Sequence, residues 1–414
     1  MRKPHPASVC PLYEIQVQGL IDPRWADWFS GMTIADDGVV TTLAGPVVDQ
    51  AALRGILSKI WDLNLGVISV KPIHAGAPGS CQERTARTDT PLLVVPLQDR
   101  HLEDAAALVS ARYRVMRRQI PLLPPCYEDV ATLLPMLRDL AGQAPGVVAL
   151  QGDRLVGLLT GFVIPGFLGK RSMYSPEWAN GAELWGSRRI YEEMYGGLAA
   201  EWVADGCFTH VVSLLGHDQE GIAGWQWLGF GLAAIDGLRR VEPTEAPGAE
   251  VEIRRAGIED IQEATALDEA LNQHMAASPI FWMHDREDYS RWLQEPKNAL
   301  WLAYDGGQVV GCIGLEPGHQ GGCQIAQDDK TVSIMSAFTK KHARNRGIAT
   351  ALLNRALKWA QAEGYERCAA DWEPMNVPAA RFWPRHFQLV CYSLMRYIDE
   401  RTGVQEATGR CSDV

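Results

Sequence analysis

Residues 331–364 read TVSIMSAFTKKHARNRGIATALLNRALKWAQAEG. The first part, 332–338, alternates apolar with small or polar side chains and is rich in strand formers, which predicts a β-strand. Further on, Ala349, Leu352, Leu353, Ala356, Leu357 and Ala360 recur at helical spacing, with Arg355, Lys358 and Glu363 on other faces. Gly364 then ends the helix, as a glycine just past a C-terminus does. The connection, Arg344-Asn345-Arg346-Gly347-Ile348-Ala349, is basic and contains a glycine. A strand, a glycine turn and a helix start aim backbone N–H groups and the positive end of the helix dipole at one point. That is an anion site, and its chemistry suits phosphate.

The flanks of this stretch recur earlier in the chain. ALWLAYDGGQVVGCIGLEPG (299–318) lies beside VVALQGDRLVGLLTGFVIPG (147–166); each reads as strand, Gly/Asp turn, strand, then Pro-Gly. GYERCAADWEPMN (364–376) lies beside GCFTHVVSLLGHD (206–218) in the same way. The spacing therefore predicts two tandem copies of one α/β plan, over 91–241 and 250–402. In the earlier copy strands are expected over 92–97, 147–151, 155–163, 210–215 and 232–235. Helices are expected there over 102–118, 127–140, 190–204 and 220–227.

Residues 1–74 read differently. Strands at 13–19, 32–35, 39–43 and 67–70 alternate with a short helix capped by Asp22 and a longer one capped by Asp49. The order β-α-β-β-α-β is the ferredoxin-like pattern. No catalytic constellation occurs in it, so a protein partner or self-association is its expected role. Linkers are expected at 75–90 and 242–249, and a polar tail at 403–414.

Composition bounds the function. The net charge of −11 argues against nucleic acid, and no apolar run of membrane-spanning length occurs. The first residues, MRKPHPASVC, carry no apolar signal region, so the expected location is the cytoplasm. Nine cysteines are scattered without a CxxC pair, which fits reduced, buried thiols; the spacing of Cys312, Cys323 and the histidines supports no metal site.

The final segment, 251–398, resembles the GNAT superfamily of acyl-CoA N-acyltransferases. The resemblance rests on Arg344-x-x-Gly347-x-Ala349 and Thr350 between strand and helix, and on Asn376, Ala379 and Phe382-Trp383 beyond it. The opening strand 251–256 followed by Ile258-Glu259-Asp260 fits as well. It implies acetyl-CoA as cosubstrate. The pyrophosphate would lie on Arg344, Asn345, Arg346, Gly347, Ile348, Ala349 and Thr350, with the pantetheine arm beside Ala337, Phe338 and Thr339. Asn376 and Phe382 complete the set. A backbone N–H near Phe338 would polarise the thioester carbonyl.

The implied reaction is acetyl transfer to a primary amine, of a small molecule or a lysine side chain. The amine must lose a proton, so carboxylates near the strand ends are candidates: Glu373 first, then Asp371 and Glu316. The chain departs from the family where many members place a tyrosine as general acid, since Trp383 stands there; Tyr392 and Cys391, just downstream, are the replacements considered. The earlier copy has ELWGSRRIYEEMY (183–195) in place of the basic turn and is expected to be degenerate. Its aromatics Tyr174, Trp178, Trp185 and Tyr191 are expected to line a pocket or to pack in a core. A non-catalytic acyl-CoA-binding regulator is the alternative reading.

Overall fold

The computed structural model describes residues 12–19, 21, 29, 32–36, 40–47, 50–63, 65–73, 91–184, 186–244, 249, 251–283, 288–318 and 322–402. The chain divides into two compact units, 1–89 and 90–414.

The first unit contains β1 (Leu12–Gln18), β2 (Thr33–Asp36), β3 (Val40–Pro46), α1 (Gln50–Asp62) and β4 (Gly66–Ile73). Its sheet runs β2-β3-β1-β4, with every neighbour antiparallel. Ile15 and Val17 of β1, two apart, share one face and meet Leu43, Ile56 and Ile60 in the core. The expected first helix, the turn at 37–39 and the cap at Asp49 lie outside the described residues.

The second unit opens with β5 (Leu92–Pro96), α2 (Leu102–Gln119), α3 (Val130–Leu140), β6 (Val147–Gln151), β7 (Arg154–Leu159) and β8 (Phe162–Phe167). There follow β9 (Lys170–Ser175), β10 (Asn180–Ala182), α4 (Ser187–Ala204), β11 (Thr209–Leu215), α5 (Gln219–Trp227) and β12 (Gly231–Arg240). The remainder is β13 (Glu252–Arg255), α6 (Ile261–Ala276), α7 (Tyr289–Trp292), β14 (Ala299–Asp305), β15 (Gln308–Pro317) and β16 (Thr331–Thr339). It ends with α8 (Ile348–Ala362), β17 (Arg367–Trp372), α9 (Val377–Phe382) and β18 (Gln388–Tyr397).

Three expectations shift. The strand expected over 155–163 is two strands, β7 and β8, in different sheets. Between them Gly161 lies so close to the Tyr174 backbone that a Cβ would come within 2.3 Å of its carbonyl oxygen, so the chain crosses there. The helix expected from 127 starts at Val130, because the Asp129 carboxylate accepts the Ala131 N–H and fixes the N-terminus. The strand expected to end at 235 continues to Arg240, held between two partners.

A four-stranded sheet runs β10-β7-β6-β5, and a ten-stranded one runs β13-β14-β15-β16-β17-β12-β18-β11-β9-β8. In the larger sheet β12 lies between β17 and β18, and β18 lies between β12 and β11. Over the first three strands outward from the β12–β18 pair the order reads alike in both directions, and β14 and β13 follow on the β17 side alone. β12 is antiparallel to β17, which is parallel to β16; β18 is antiparallel to β11, which is parallel to β9. Helix α8 lies on one face and buries Ile348, Leu352, Leu353, Ala356, Leu357 and Ala360. Its four large side chains contribute about 1.5–3 kcal/mol each.

Candidate functional site

The turn after β16 is built by two left-handed residues. Asn345 has φ 62° and Gly347, the N-cap of α8, has φ 79°. Gly347 makes no side-chain cap, and its carbonyl accepts the Ala351 N–H at 3.0 Å. The first N–H groups of α8 have no carbonyl one turn back and point out of its N-terminus. Ile348 is buried in the core, so it offers the turn only its backbone. Arg344 is pinned by Nε donating to the Thr339 carbonyl at 2.9 Å, with its guanidinium carbon 5.6 Å from the centre of the Phe338 ring. Arg346 is paired at 2.6 Å with Asp305 on the β14–β15 turn, and that pairing holds the Asp305 carboxyl below its usual range.

Beside the turn the sheet opens. β16 and β17 pair only at Thr331↔Arg367, Val332↔Cys368 and Ser333↔Ala369. β16 then follows β15 to Thr339, with an irregularity around Met335, while β17 follows β12 to Ile235↔Trp372. Among the described residues the β17-facing edge from Ile334 to Thr339, which includes Ala337, Phe338 and Thr339, has no strand partner. The gap and the helix start thus meet at one end of β16.

The candidate bases share one face. Val332, Cys368, Ala370 and Trp372 point into the core under α8. Strand alternation puts Asp371 and Glu373 on the opposite face. Glu316 belongs there too, since its neighbour Leu315 is in the α8 core; its carboxylate accepts the Trp292 indole N–H at 2.5 Å. At the mouth of the divergence lies a small cavity of about 10 Å³, room for a single water, lined among others by Asp236, Gly322, Gln327, Ser333 and Asp371.

Other expected residues lie elsewhere. Tyr392 is on β18, and β12 intervenes between β18 and β17; its ring packs with the core under α4 and α5. It is therefore two strands from β17, roughly 10 Å, and is corrected as an acid for the gap. Trp383 is buried against Phe387 in the α8 core. The Asn376 amide is engaged by α6: Nδ2 donates to the Met275 sulfur and Oδ1 lies 3.3 Å from His274 Nε2. Phe382 packs at a tilt against His386, with 4.6 Å between ring centres and 56° between ring planes.

Two residues at the site carry no sequence signal. His274, 6.2 Å from the Phe338 ring, has its pKa lowered by burial and then by Arg344. Asp236 sits directly opposite Asp371, one residue beyond the expected end of its strand.

In 91–241 the region between β9 and β11, where a second copy is expected to open, is bridged by side chains. α4 also starts at a left-handed glycine, Gly186, with φ 76°. β9 pairs with β11 through Ser175↔Val212, and the chain then leaves to pair with β7 as β10. Asn180 Nδ2 spans the opening to the Ser213 carbonyl at 2.9 Å, and the Tyr191 hydroxyl donates to Asn180 Oδ1. Arg112 borders what remains, a cavity of about 10 Å³: it donates to the Ala182 carbonyl at 2.6 Å and forms a buried ion pair with Asp218 at 2.7 Å. Trp178 and Tyr191 are buried, and Tyr191 also lines the small cavity beside Arg112; Trp185 lies outside the described residues.

Residues 267–387 match the acetyltransferase (GNAT) family, and residues 12–71 match a domain of unknown function (DUF8691). No curated protein matches the chain. Among solved structures, a GCN5-related N-acetyltransferase from Sphaerobacter thermophilus is 15% identical over 74% of this chain and 95% of its own, with a TM-score of 0.47. A GCN5-related glucosamine N-acetyltransferase region of a fungal multi-domain GH3 β-N-acetylglucosaminidase is 12% identical over 74% of this chain, with a TM-score of 0.47. This chain spans only 38% of that fungal protein. A GCN5-related N-acetyltransferase from Kribbella flavida is 17% identical over 74% of this chain and 72% of its own, with a TM-score of 0.33. The family match thus places an acetyltransferase (GNAT) domain over residues 267–387 of the chain.

Proposed function

We propose that the protein transfers the acetyl group of acetyl-CoA to a primary amine by direct attack on the thioester. One observation carries this: the left-handed turn at Gly347 and the unpaired edge of β16 meet at the same strand end. Phosphate oxygens suit the N–H groups of the turn and Arg344, while an amide-bearing arm suits the open edge of Ile334–Thr339. Acetyl-CoA supplies an acyl carbon, to which the amine nitrogen bonds as the C–S bond breaks, with a thiolate as leaving group. Glu373 takes the amine proton, with Asp371 and Glu316 on the same face as the alternatives. Backbone N–H groups near Phe338 hold the developing oxyanion. Trp383 stands where a tyrosine acid is expected and Tyr392 is remote, so neither protonates the thiolate, which leaves as the anion.

The 91–241 segment is a second, degenerate copy in this reading. The strand order, alike for three strands to either side of the β12–β18 pair, and the glycine that starts α4 support it, and the Asn180 and Arg112 contacts bridge its gap. The order β2-β3-β1-β4 supports a ferredoxin-like first unit.

Titration calorimetry with acetyl-CoA, followed by a thiol-release assay over a panel of amines, tests the proposal. Micromolar acetyl-CoA binding with amine-dependent thiol release is expected. Binding with no amine-dependent release over background hydrolysis would overturn the transfer.

A further inference from the structure

Two thiols and a carboxylate from distant parts of the chain meet in the interior. A Glu177 carboxylate oxygen, Cys323 Sγ and Cys391 Sγ lie within 4.8 Å of one another, and all three residues are buried. Glu177 is only 2% exposed, yet its Oε2 accepts no N–H or O–H. A buried carboxylate oxygen in that position is costly unless a proton or a cation satisfies it. Both cysteines are free, and burial pushes their thiol pKa values up, which is the setting of an inert thiol rather than of a nucleophile.

The three side chains are held from behind. Cys391 sits on β18, opposite Asp236 of β12 and Leu215 of β11, so two flanking strands fix it. The Cys323 N–H donates to Asp236 Oδ1 at 2.7 Å. Glu177 Oε1 accepts the Ile325 N–H at 2.9 Å, which orients the carboxylate through one oxygen and spares the other. The Ile325 carbonyl in turn accepts the Tyr113 hydroxyl at 2.9 Å, and Trp178 Nε1 donates to Gln324 Oε1 at 2.7 Å. Such supports are what a metal ligand needs to keep its aim.

The donor set selects the ion. Magnesium and calcium take oxygen ligands, whereas zinc accepts thiolate and carboxylate together. The cavity of about 10 Å³ that Cys323 lines has room for one water, enough to make up four ligands. We propose that Glu177, Cys323 and Cys391 bind a zinc ion that ties together the β9–β10 turn of 91–241, the segment before β16 and the strand β18. On binding, the thiol protons pass to solvent and the sulfurs ligate as thiolates. No CxxC spacing marks the site, because its ligands come from three separate places. The inference does not depend on the acetyl-CoA reading.

The test uses the full chain, unfolded in urea with a reductant, refolded with zinc chloride and passed over a chelating resin. Wild type should retain about one zinc ion per chain and gain Tm over protein refolded with a chelator. Refolding with cobalt instead should give a thiolate-to-cobalt charge-transfer band. Glu177→Gln keeps the oxygen that accepts the Ile325 N–H, so it removes the ligand and spares the scaffold. Glu177→Gln, Cys323→Ala and Cys391→Ala should each bind zinc at least about 100-fold more weakly, beyond what loss of a ligand's support alone costs. Cys207→Ala removes a buried thiol outside the cluster and should retain zinc as wild type does. Refolded wild type that keeps no zinc, or Glu177→Gln and Cys391→Ala proteins that keep as much as wild type, overturn the inference. A cobalt-loaded wild type with no thiolate band overturns it even where the cysteine variants do not fold.

Discussion

Replacing Gly347 by glutamate tests the anion site, and Gly186 provides an internal control. Both glycines start long helices in the left-handed region, at φ 79° and 76°. Any L side chain there costs about 1–2 kcal/mol, so Gly347→Ala and Gly186→Ala should each lower Tm by about 2–5 °C. Only at 347 does a bound phosphate follow. A carboxylate about 5 Å from phosphate, at an effective dielectric of about 20, adds roughly 3 kcal/mol of repulsion. Arg346 is paired with Asp305 and Arg344 donates to the Thr339 carbonyl, so both are partly engaged and relief is incomplete. Gly347→Glu should therefore weaken acetyl-CoA binding by about 100-fold or more, as 1.4 kcal/mol is a factor of ten. Gly186→Glu should match it in Tm loss and leave affinity within about twofold. Calorimetry on the four variants decides. Wild-type affinity in Gly347→Glu, or an equal loss in Gly186→Glu, would refute the placement of the donor.

Further outcomes follow from the same geometry. Glu373→Gln should reduce kcat by about 10²–10³ with acetyl-CoA affinity unchanged, while Tyr392→Phe should leave kcat within about twofold; thiol-release kinetics read both. Asp218 accepts from Arg112, Ser187 and the Gly221 N–H, so Asp218→Ala should cost about 3–5 kcal/mol in a urea titration, by stranding a buried guanidinium. Burial drives the pKa of His210 and of His217 down to about 4. Both rings are neutral above pH 6.5, and between there and pH 4 the unfolded chain binds protons the folded one refuses. Stability should thus fall as pH drops from 7 to 5, by about 2 kcal/mol per ring, and His210→Gln should flatten the slope.

The sequence made the strand–turn–helix at 331–364 legible because its signals are local: alternation, a glycine and an apolar helical stripe. The same holds for α1, α2 and β6. Tyr392 failed for a non-local reason. Its distance from the gap is set by β12, a strand contributed from some 150 residues away, and no spacing along 383–392 records that insertion. β8, β9 and β10 lie in a stretch broken by Pro165, Pro176 and several glycines, which reads as loop until sheet partners are known. Asp236 was missed because strand propensity fades after Ile235, although two flanking strands hold the chain extended to Arg240. His274 owes its place to α6 ending beside Asn376, a tertiary contact with no motif.

The interleaving of β12 and β18 has a consequence during synthesis. β12 is complete when the ribosome reaches residue 240, but its neighbours β17 and β18 are made more than a hundred residues later. At roughly 5–20 residues per second, its two edges stay bare for about ten to thirty seconds. An uncovered apolar strand of that kind pairs readily with other chains, so the nascent polypeptide should depend on a holding chaperone. Two fragments cut between 241 and 250 should each be insoluble alone and soluble when produced together, each lending the other its final strand.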